Sequence, residues 1–400
     1  MSDPILIVGA GIGGLNAALA LATRGHRVTV LERAAEITEV GAGLQLSPNA
    51  CHCLRQIGVL ESVAARATAP DAIHVRSGHS GATITRLPLS PYLEDLYGAP
   101  YLVSHRADLQ RALHEACEAH ERIEIRLGHA FAGRETGSNG RVLARFETAE
   151  GQTTLETPLL IGADGVWSAV RKTIPGAAQA TFTGRTAYRA TLPAELVPAD
   201  EMRDTGLWLG SEAHLVHYPL EAGRSFNLVA LIREDWQEET WSAPVARDTF
   251  LKTFTRWAPS ARRLLDQPET WLKWALCGVD ALAGPWGTGG ENGQTLLLGD
   301  AAHGMLPFAA QGAAMAIEDG AVLADLVTRL GPSDTRLLAA YKTLRKERVA
   351  KVQATARSNG EIYHLSGPMA LARDTVMRVA GGRNLLRRQD WIYRWQPPAV

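Results

Sequence analysis

The sequence predicts an α/β fold in which a mostly parallel sheet, built from separate segments of the chain, is combined with an antiparallel sheet and with helices at the C-terminus. Three observations predict it. The first 33 residues divide into a strand, a glycine turn, a helix of small residues and a second strand. Residues 181 to 282 instead carry several strand-like runs with alternating side chains. A buried strand at residues 295 to 298 then precedes helical patterns to about residue 380.

Composition and charge exclude several classes of protein. The formal net charge of the 400 residues is -1, so no broad electrostatic attraction to nucleic acid or to an anionic membrane is expected. No apolar run approaches the roughly 18 residues of a membrane helix. The four cysteines are too scattered for a disulfide framework or a zinc site. We therefore expect a cytoplasmic protein with no metal ion, no nucleic acid and no integral membrane segment.

A basic segment near the C-terminus needs a separate interpretation. It reads YKTLRKERVAKVQ and spans residues 341 to 353. Its glutamate and its helical spacing predict a solvated helix face, which we favour over a binding patch.

The N-terminal βαβ unit carries a glycine-rich turn. An apolar strand at residues 5 to 8 leads into GAGIGG, residues 9 to 14, and a helix follows to about Arg24. In such a turn the first glycine permits the bend, the second lets the backbone approach a pyrophosphate, and the third lets helix and strand pack closely. Glu32 ends the next strand, where a ribose hydroxyl would need an acceptor. The unit therefore predicts binding of NAD or FAD.

Two later stretches also place an acidic residue directly after an apolar strand. The first is GADGVWSAVR, residues 162 to 171, in which Asp164 is equally well explained as a helix N-cap. The second is GDAAHGMLPFAAQGAA, residues 299 to 314, which ends in a helix start without bulky side chains. Such a helix start lets a planar anionic ring lie against backbone N–H groups.

The order of these three motifs resembles the class A flavoprotein aromatic hydroxylases, which include para-hydroxybenzoate, salicylate and 3-hydroxybenzoate hydroxylases. The resemblance implies a Rossmann-like FAD-binding domain of discontinuous segments (1–75, 101–180 and 285–330), an antiparallel substrate domain (76–100 and 181–284) and a C-terminal helical segment (331–400). It implies an FAD-dependent monooxygenase that uses NAD(P)H and O2 to hydroxylate a small phenolic acid or related heteroaromatic through a flavin hydroperoxide.

The same resemblance assigns cofactor-binding roles residue by residue. The phosphate and ribose groups of FAD would meet Gly9, Gly11, Gly13, Gly14, Glu32, Arg33 and Arg106. The ribityl chain, the flavin ring and the approaching nicotinamide would meet Gln45, Asp164, Gly165, Gly299, Asp300, Pro307, Gly312 and Ala313. Leu127, in the strand candidate RIEIRLG, completes the set.

The substrate side is predicted on the hairpin HLVHYPLEAGRSFNLVALI, residues 214 to 232. Residues two apart on a strand share a face, so His214 and Tyr218 point one way and His217 the other. A phenol becomes reactive when its proton is removed, and a histidine suits that task near neutral pH. The His-x-x-x-Tyr pair also resembles the active-site pair of 3-hydroxybenzoate and 6-hydroxynicotinate hydroxylases. It implies that His214 is the base or orienter of a substrate hydroxyl, with Tyr218 as its hydrogen-bonding partner; simple pairing across a sheet is the alternative.

Several questions stay open at this point. Gln311 is a third candidate for substrate contact, His303 is as well explained by packing, and Arg189 is one candidate to bind a substrate carboxylate. An FAD-dependent epoxidase or quinone-precursor hydroxylase is an alternative, and an NAD-dependent dehydrogenase a more distant one. The ring position attacked, the choice between NADH and NADPH, and a possible homodimer are not fixed by the sequence.

Overall fold

The fold is described from a computed structural model, for residues 3–37, 43–234, 243–290 and 293–399. Its strands are β1 (Ile5–Val8), β2 (Val28–Leu31), β3 (Gly43–Leu46), β4 (Ala72–Ser77), β5 (Thr83–Pro88), β6 (Leu102–His105), β7 (Ile123–Arg126), β8 (Ala130–Thr136), β9 (Val142–Thr148), β10 (Gly151–Thr157), β11 (Leu159–Gly162), β12 (Thr181–Pro193), β13 (Thr205–Gly210), β14 (Ala213–Leu220), β15 (Ser225–Arg233), β16 (Ala243–Ala246), β17 (Thr270–Gly278), β18 (Gly287–Gly290) and β19 (Gly293–Leu297). Its helices are α1 (Ile12–Thr23), α2 (Pro48–Gln56), α3 (Leu60–Ala64), α4 (Tyr92–Tyr97), α5 (Arg106–Glu118), α6 (Ala169–Lys172), α7 (Pro259–Asp266), α8 (Asp300–His303), α9 (Gly312–Leu330), α10 (Leu337–Tyr363), α11 (Gly367–Arg387) and α12 (Asp390–Tyr393). In the part of the chain so described, none of these helices is long and apolar enough to span a membrane.

Six strands form the main sheet, in the order β18-β19-β11-β1-β2-β7. Its neighbouring strands are parallel, except that β18 pairs antiparallel with β19. β1, β2 and β11 are short apolar runs that are buried throughout, which is typical of a parallel sheet covered on both faces. The predicted α/β fold is confirmed, including the return of the chain to this sheet after residue 290.

Helix α1 packs against α9 because both helices present small residues to each other. The side-chain amide of Asn16 donates to the carbonyl oxygen of Ile317 at 3.0 Å. A Cβ atom added at Gly320 would lie only 2.5 Å from that amide nitrogen. The run of small residues after Gln311 is therefore required for close helix packing as well as at the helix start.

Eight strands form the covering sheet, in the order β16-β17-β12-β15-β14-β13-β4-β5. It is antiparallel as predicted, apart from the parallel pair β13 and β4. One face packs with α7 around a core that includes Tyr188, Phe226 and Trp271. The other face carries Ala187, Val229 and Leu231, which pack with Phe308. The covering sheet also includes β4, which spans the boundary expected between residues 75 and 76.

Three local features are not anticipated by the sequence patterns. β8, β9 and β10 form a separate antiparallel sheet, of which only β9 is expected. β3 pairs with β6. The sequence from 77 to 100 predicts irregular structure or a hairpin, but it contains the helix α4.

The basic segment from 341 to 353 lies in α10, but the prediction that its charges are solvated is wrong at Arg345. That guanidinium is fully buried, with contacts of 2.6 Å to Glu318 and 2.6 Å to Asp319 on α9. Arg348 also contacts Glu318, at 2.7 Å. Burial alone would raise the pKa of Asp319, but His303 and Arg345 lower it to about 2. The buried charges are tolerated because each carboxylate meets a cation in direct contact.

Replacement of Arg345 by Met is expected to lower the free energy of unfolding by about 3 to 5 kcal/mol, because two buried carboxylates each lose one of their cationic partners. The exposed side chain of Arg329 pairs with Asp325 one helical turn away. The same replacement at Arg329 should lower the free energy of unfolding by no more than about 1 kcal/mol. Denaturant unfolding of both variants measures the difference. Equal losses would show that the buried cluster contributes no more than a surface pair.

Candidate active site

Four strand ends of the main sheet bring the sequence motifs together. Glu32 follows β2, Gly9 follows β1, Asp164 lies just after β11, and Asp300 just after β19. These strands are parallel neighbours, so their carboxyl ends line one edge over about 14 Å, three strand spacings. Ligands of open α/β sheets bind at this edge.

The glycines of the first turn differ in what surrounds them. A Cβ atom on Gly9 would lie 2.6 Å from the carbonyl oxygen of Ala163, and one on Gly14 would lie 2.0 Å from that of Gly9. One on Gly13 would lie 3.0 Å from the side chain of Leu298. At Gly11, the residue before α1, no described atom lies within 4 Å. Three glycines therefore serve packing, whereas Gly11 leaves free space at a helix start, as a bound pyrophosphate requires.

Glu32 is held at the end of β2 by two backbone amides. Its carboxylate accepts hydrogen bonds from the N–H groups of Ala10, at 2.9 Å, and Ala34, at 3.0 Å. Arg33 beside it is exposed. Leu127 follows β7, the next strand of the sheet, and is half-buried. The contact with Ala10 links the position of the carboxylate to the glycine turn, which fits its predicted role towards a ribose.

Asp164 forms the hydrogen bonds of a helix cap. Its carboxylate accepts from the hydroxyl of Ser168 and from the N–H groups of Ala169, at 2.7 Å, and Val170, at 3.1 Å. Burial raises its pKa, and these hydrogen bonds oppose the rise. The N-cap residue of α6 is Ser168, whose hydroxyl accepts from the N–H of Arg171. The interpretation of Asp164 as the N-cap is therefore wrong, although its carboxylate accepts from the first N–H groups of that helix, and its contact with cofactor stays a prediction. Gly165 follows with φ +78° and with open space at its Cβ position.

Asp300 is the first residue of α8 and is half-buried. Among the described residues its carboxylate has no hydrogen-bond or ion-pair partner. The preceding Gly299 has φ +58°, and its N–H donates to the carboxylate of Asp319 at 2.9 Å. The backbone at this strand end is thus fixed while one carboxylate remains available to a ligand hydroxyl.

A short 3-10 turn, Pro307–Ala309, precedes α9 and lies opposite the covering sheet. Gln311 caps α9 and is followed by Gly312 and Ala313. Its amide nitrogen donates to the hydroxyl of Ser47 at 2.9 Å, and its oxygen accepts from Asn49 at 3.2 Å. Both groups of this side chain are therefore engaged with the start of α2, and contact between Gln311 and substrate stays a prediction.

The two strands β3 and β6 lie next to the ring of Tyr218. A Cβ atom on Gly43 would lie 2.3 Å from that ring. Gln45 accepts a hydrogen bond from the hydroxyl of Tyr101. Arg106 begins α5 directly after β6. The sequence GAGLQLSPNA, residues 41 to 50, resembles the flavin-contacting loop of the aromatic hydroxylases, and its residues 41 and 42 lie outside the described residues.

Histidine 214 does not form the expected hydrogen bond with Tyr218. Both residues lie on β14 and share a face, but four residues of strand separate them by about 13 Å. Instead Nδ1 of His214 lies 2.7 Å from Nε2 of His364, the residue after α10. The prediction that Tyr218 is the hydrogen-bonding partner of His214 is therefore wrong. The roles predicted for His214 and Tyr218 towards the substrate stay predictions.

The surroundings of His214 are apolar and aromatic. Its ring centroid lies 5.2 Å from that of Phe308 and 5.5 Å from that of Tyr363. Burial lowers the pKa of His214 well below its ordinary value, and His364 and Arg185 lower it further. His214 is therefore uncharged at neutral pH.

His217 and His303, the two other histidines considered in the sequence, form hydrogen bonds with buried protein groups. His217, on the opposite face of β14, accepts a hydrogen bond from the indole N–H of Trp208 at 2.9 Å, as expected of a structural residue. His303 is fully buried, with Nε2 2.6 Å from Asp319. Its packing role is therefore observed directly.

Arg189 lies on the same face of the covering sheet as His214. The residue opposite Arg189 on β15 is Val229, and the residue opposite Val229 on β14 is Val216. Its guanidinium lies 4.1 Å from the ring centroid of Trp274. Its Nε atom is buried and has no hydrogen-bond partner among the described residues. Burial of part of the side chain lowers its pKa to about 10, so it is a cation at neutral pH.

Sequence patterns do not reveal three residues of this site. His364 and Arg185 reach His214 from distant segments, and Trp274 supports Arg189 from β17. A histidine just beyond a long helix is the only local signal, and it does not specify a partner.

The comparisons with known proteins agree with this geometry. Residues 3–356 match a family model described as an FAD binding domain. The chain belongs to this family. FAD is thus the cofactor of this protein, and the alternative of an NAD-dependent dehydrogenase is not supported.

Curated relatives match this family member along nearly its whole length. "3-hydroxybenzoate 6-hydroxylase 1" of Aquipseudomonas alcaligenes is 36% identical over 397 residues, which cover 98% of this chain and 98% of that protein. The 3-amino-4-hydroxybenzoate 2-monooxygenase PtnB3 of Streptomyces platensis is 35% identical over 99% of this chain and 97% of its own.

Two solved structures share the fold. A salicylate hydroxylase substrate complex has a TM-score of 0.81 at 24% identity, covering 100% of this chain and 99% of its own. HpxO of Klebsiella pneumoniae, complexed with FAD and uric acid, has a TM-score of 0.80 at 24% identity, covering 96% and 95%.

The contrast between two glycines tests the cofactor site. Gly11→Ala is expected to leave the stability of the apoprotein unchanged and to weaken FAD binding on the order of tenfold or more, because its methyl group enters the free space at the helix start. Gly14→Ala should instead destabilise the apoprotein, because its methyl group meets the carbonyl oxygen of Gly9. Flavin fluorescence titration and thermal unfolding of the apoprotein separate the two effects. Unchanged FAD affinity in Gly11→Ala would contradict the placement of the pyrophosphate.

Proposed function

We propose that this protein is an FAD-dependent monooxygenase that uses NAD(P)H and O2 to hydroxylate a small aromatic hydroxy acid. One observation supports this more than any other. The face of the covering sheet that carries His214 and Tyr218 also carries Arg189, a half-buried arginine with a buried Nε atom, and it packs on the turn that leads into α9. A phenol that also bears a carboxylate fits this combination of a neutral imidazole and a cation.

The residues of the strand-end edge would hold FAD at fixed points. The free space at Gly11 suits the pyrophosphate, Glu32 offers a carboxylate for the ribose, and Asp300 offers an unpaired carboxylate for the ribityl hydroxyls. When bound, FAD supplies the transfer of electrons from NAD(P)H to O2 and of one oxygen atom to the ring.

The chain's own residues would orient the aromatic ring and exclude water. His214 would hydrogen-bond to the substrate hydroxyl through Nε2, because its Nδ1 is engaged by His364. Phe308, Val229 and Leu231 provide an apolar surface around that contact. Excluding water strengthens each polar contact with the substrate and protects reactive species.

Arg189 would bind the substrate carboxylate. A buried guanidinium nitrogen without a hydrogen-bond partner is costly, and a bound anion would satisfy it. Two strand spacings, about 10 Å, separate β12 from β14, which an arginine side chain and a benzoate ring together can bridge. The first substrate to test is 3-hydroxybenzoate, which the name of one relative mentions.

Some features of the proposal rest on the sequence resemblance alone. NAD(P)H and O2 as cosubstrates, a cytoplasmic location and a homodimer remain predictions. Four of the eight exposed large hydrophobic side chains of the described residues lie on α11: Met369, Leu371, Val376 and Val379.

His214→Asn is expected to lower the rate of hydroxylation on the order of 100-fold, because a positioned donor to the reacting ring is lost. The flavin absorbance should stay at the wild-type level. His217→Asn, a change on the other face of the same strand, is the matched control and should lower stability but not the ratio of product to NAD(P)H consumed. Product detected by mass spectrometry, together with NAD(P)H oxidation, measures this. A proportional loss of flavin and of hydroxylation in His214→Asn would contradict its role.

Arg189→Met is expected to weaken binding of 3-hydroxybenzoate by about 10- to 100-fold and to leave binding of 3-methylphenol nearly unchanged, because only the first ligand has a carboxylate. Arg233→Met removes an exposed cation from β15 and should change neither. Ligand titrations that follow the flavin spectrum give both affinities. Similar losses for the two ligands would show that Arg189 does not select a carboxylate.

A further inference from the structure

Three side chains from distant parts of the chain form a continuous hydrogen-bonded row behind the proposed substrate site. Arg185 on β12 places Nη1 2.6 Å from Nδ1 of His364. His364 places Nε2 2.7 Å from Nδ1 of His214. His214 is buried, and its ring centroid lies 4.9 Å from that of His364. The row leaves Nε2 of His214 as its end, with no hydrogen-bond partner among the described residues.

The chemistry of the first member fixes the direction of every hydrogen bond in the row. A guanidinium is only a donor, so Nδ1 of His364 must be an acceptor. A neutral imidazole carries one proton, which in His364 is therefore on Nε2. That N–H donates to Nδ1 of His214, which must also be an acceptor. The single proton of neutral His214 is consequently on Nε2.

We propose that Arg185 and His364 are positioning residues that fix His214 as a hydrogen-bond donor at Nε2 and prevent it from accepting a proton. This inference rests on the proposed function, in which His214 contacts the substrate hydroxyl. Of the two roles that the sequence leaves open for His214, base and orienter, the row selects the orienter.

His214 has no site for a second proton while the row is intact. A proton on its Nδ1 would face the N–H of His364, so that two donors would oppose each other. If the proton of His364 moved to Nδ1, that N–H would face the N–H of the Arg185 guanidinium, so two donors would again oppose each other. A base in this position would first have to break two buried hydrogen bonds.

The charged and titratable groups around the row do not favour an imidazolium. These groups are Arg373 near His364, Tyr363 against the ring of His214, and Arg233, Glu212 and Glu361 near Arg185. Among the described residues, neither His214 nor His364 forms a hydrogen bond with a carboxylate. Burial, together with Arg185 and Arg373, lowers the pKa of His364 to about 3.

The consequence for the substrate is that its hydroxyl proton leaves to solvent and not to His214. Both a hydroxyl and an ionised oxygen can accept from Nε2–H, but the ionised oxygen forms the stronger, charge-assisted hydrogen bond. A phenol that ionises on binding would release its proton to water, and its phenolate oxygen would accept the hydrogen bond. Affinity is therefore expected to rise with pH until the free phenol is ionised. Ligands with more acidic hydroxyls should bind more tightly at a given pH.

The tautomer can be observed without any assay of activity. In the FAD-loaded protein labelled with 15N-histidine, the signals of His214 are identified by their loss in His214→Asn. The expected result is a protonated Nε2, an unprotonated Nδ1, and no titration between about pH 5 and pH 8, the range in which an ordinary histidine changes charge. Protonation of Nδ1, or titration of His214 in that range, would overturn the inference.

Two substitutions at one position separate hydrogen-bond direction from packing. His364→Gln offers an acceptor to Arg185 and a donor to His214, so it should keep the tautomer and the pH dependence of ligand affinity. His364→Glu offers acceptors to both neighbours and is compatible with the nearby cations. It should move the proton of His214 to Nδ1 and convert Nε2 to an acceptor.

The readout is the affinity for 3-hydroxybenzoate relative to a fluorinated, more acidic analogue, measured by flavin absorbance across the same pH range. In His364→Glu the preference for the more acidic ligand should fall about tenfold or more, because a charge-assisted hydrogen bond is lost. Equal behaviour of the Gln and Glu variants would overturn the inference. A wild-type tautomer with no hydroxylation of any phenolic acid would overturn the proposed function, so the two failures are distinguishable.

Discussion

The buried pairing of Arg345 with Glu318 and Asp319 is the constraint on which the rest of the site depends. Three charges removed from water must meet one another, so α9 and α10 have a single mutual register. The same two carboxylates hold the surrounding loops: Asp319 accepts from the N–H of Gly299, and Glu318 accepts from Asn49. One cluster thereby fixes the end of β19, the start of α2 and α9, which are the elements that carry the predicted flavin contacts.

The elements that sequence predicts well are those with a local cause. A strand, a glycine turn and a helix of small residues are consecutive in the chain, so the N-terminal unit and the strand ends at Asp164 and Asp300 are visible without a structure. Parallel pairing then brings the three motifs to one edge, because the carboxyl ends of parallel strands coincide. The alternation on β14 likewise predicts which face carries His214 and which carries His217.

The residues that sequence cannot predict are those whose partners are distant. Nothing near Arg345 distinguishes it from the exposed cations of α10, since its burial is decided by carboxylates on another helix. His364 is 150 positions from His214, and its contact exists only because the end of α10 crosses the covering sheet. The pairing expected between His214 and Tyr218 failed for a simpler reason. Residues four apart are adjacent on a helix but well separated on a strand.

The late position of α10 in the chain has a consequence for shortened chains. The strand-end edge begins with the first 33 residues. The loop after β19, however, is held by residues of α10. Arg345 contacts Asp319, which accepts from the N–H of Gly299, and the amide of Gln353 donates to the carbonyl oxygens of Val279 and His303. The predicted flavin site therefore has its full set of contacts only in a chain that includes α10. A chain that ends before α10 is expected to carry the nucleotide motif without these contacts.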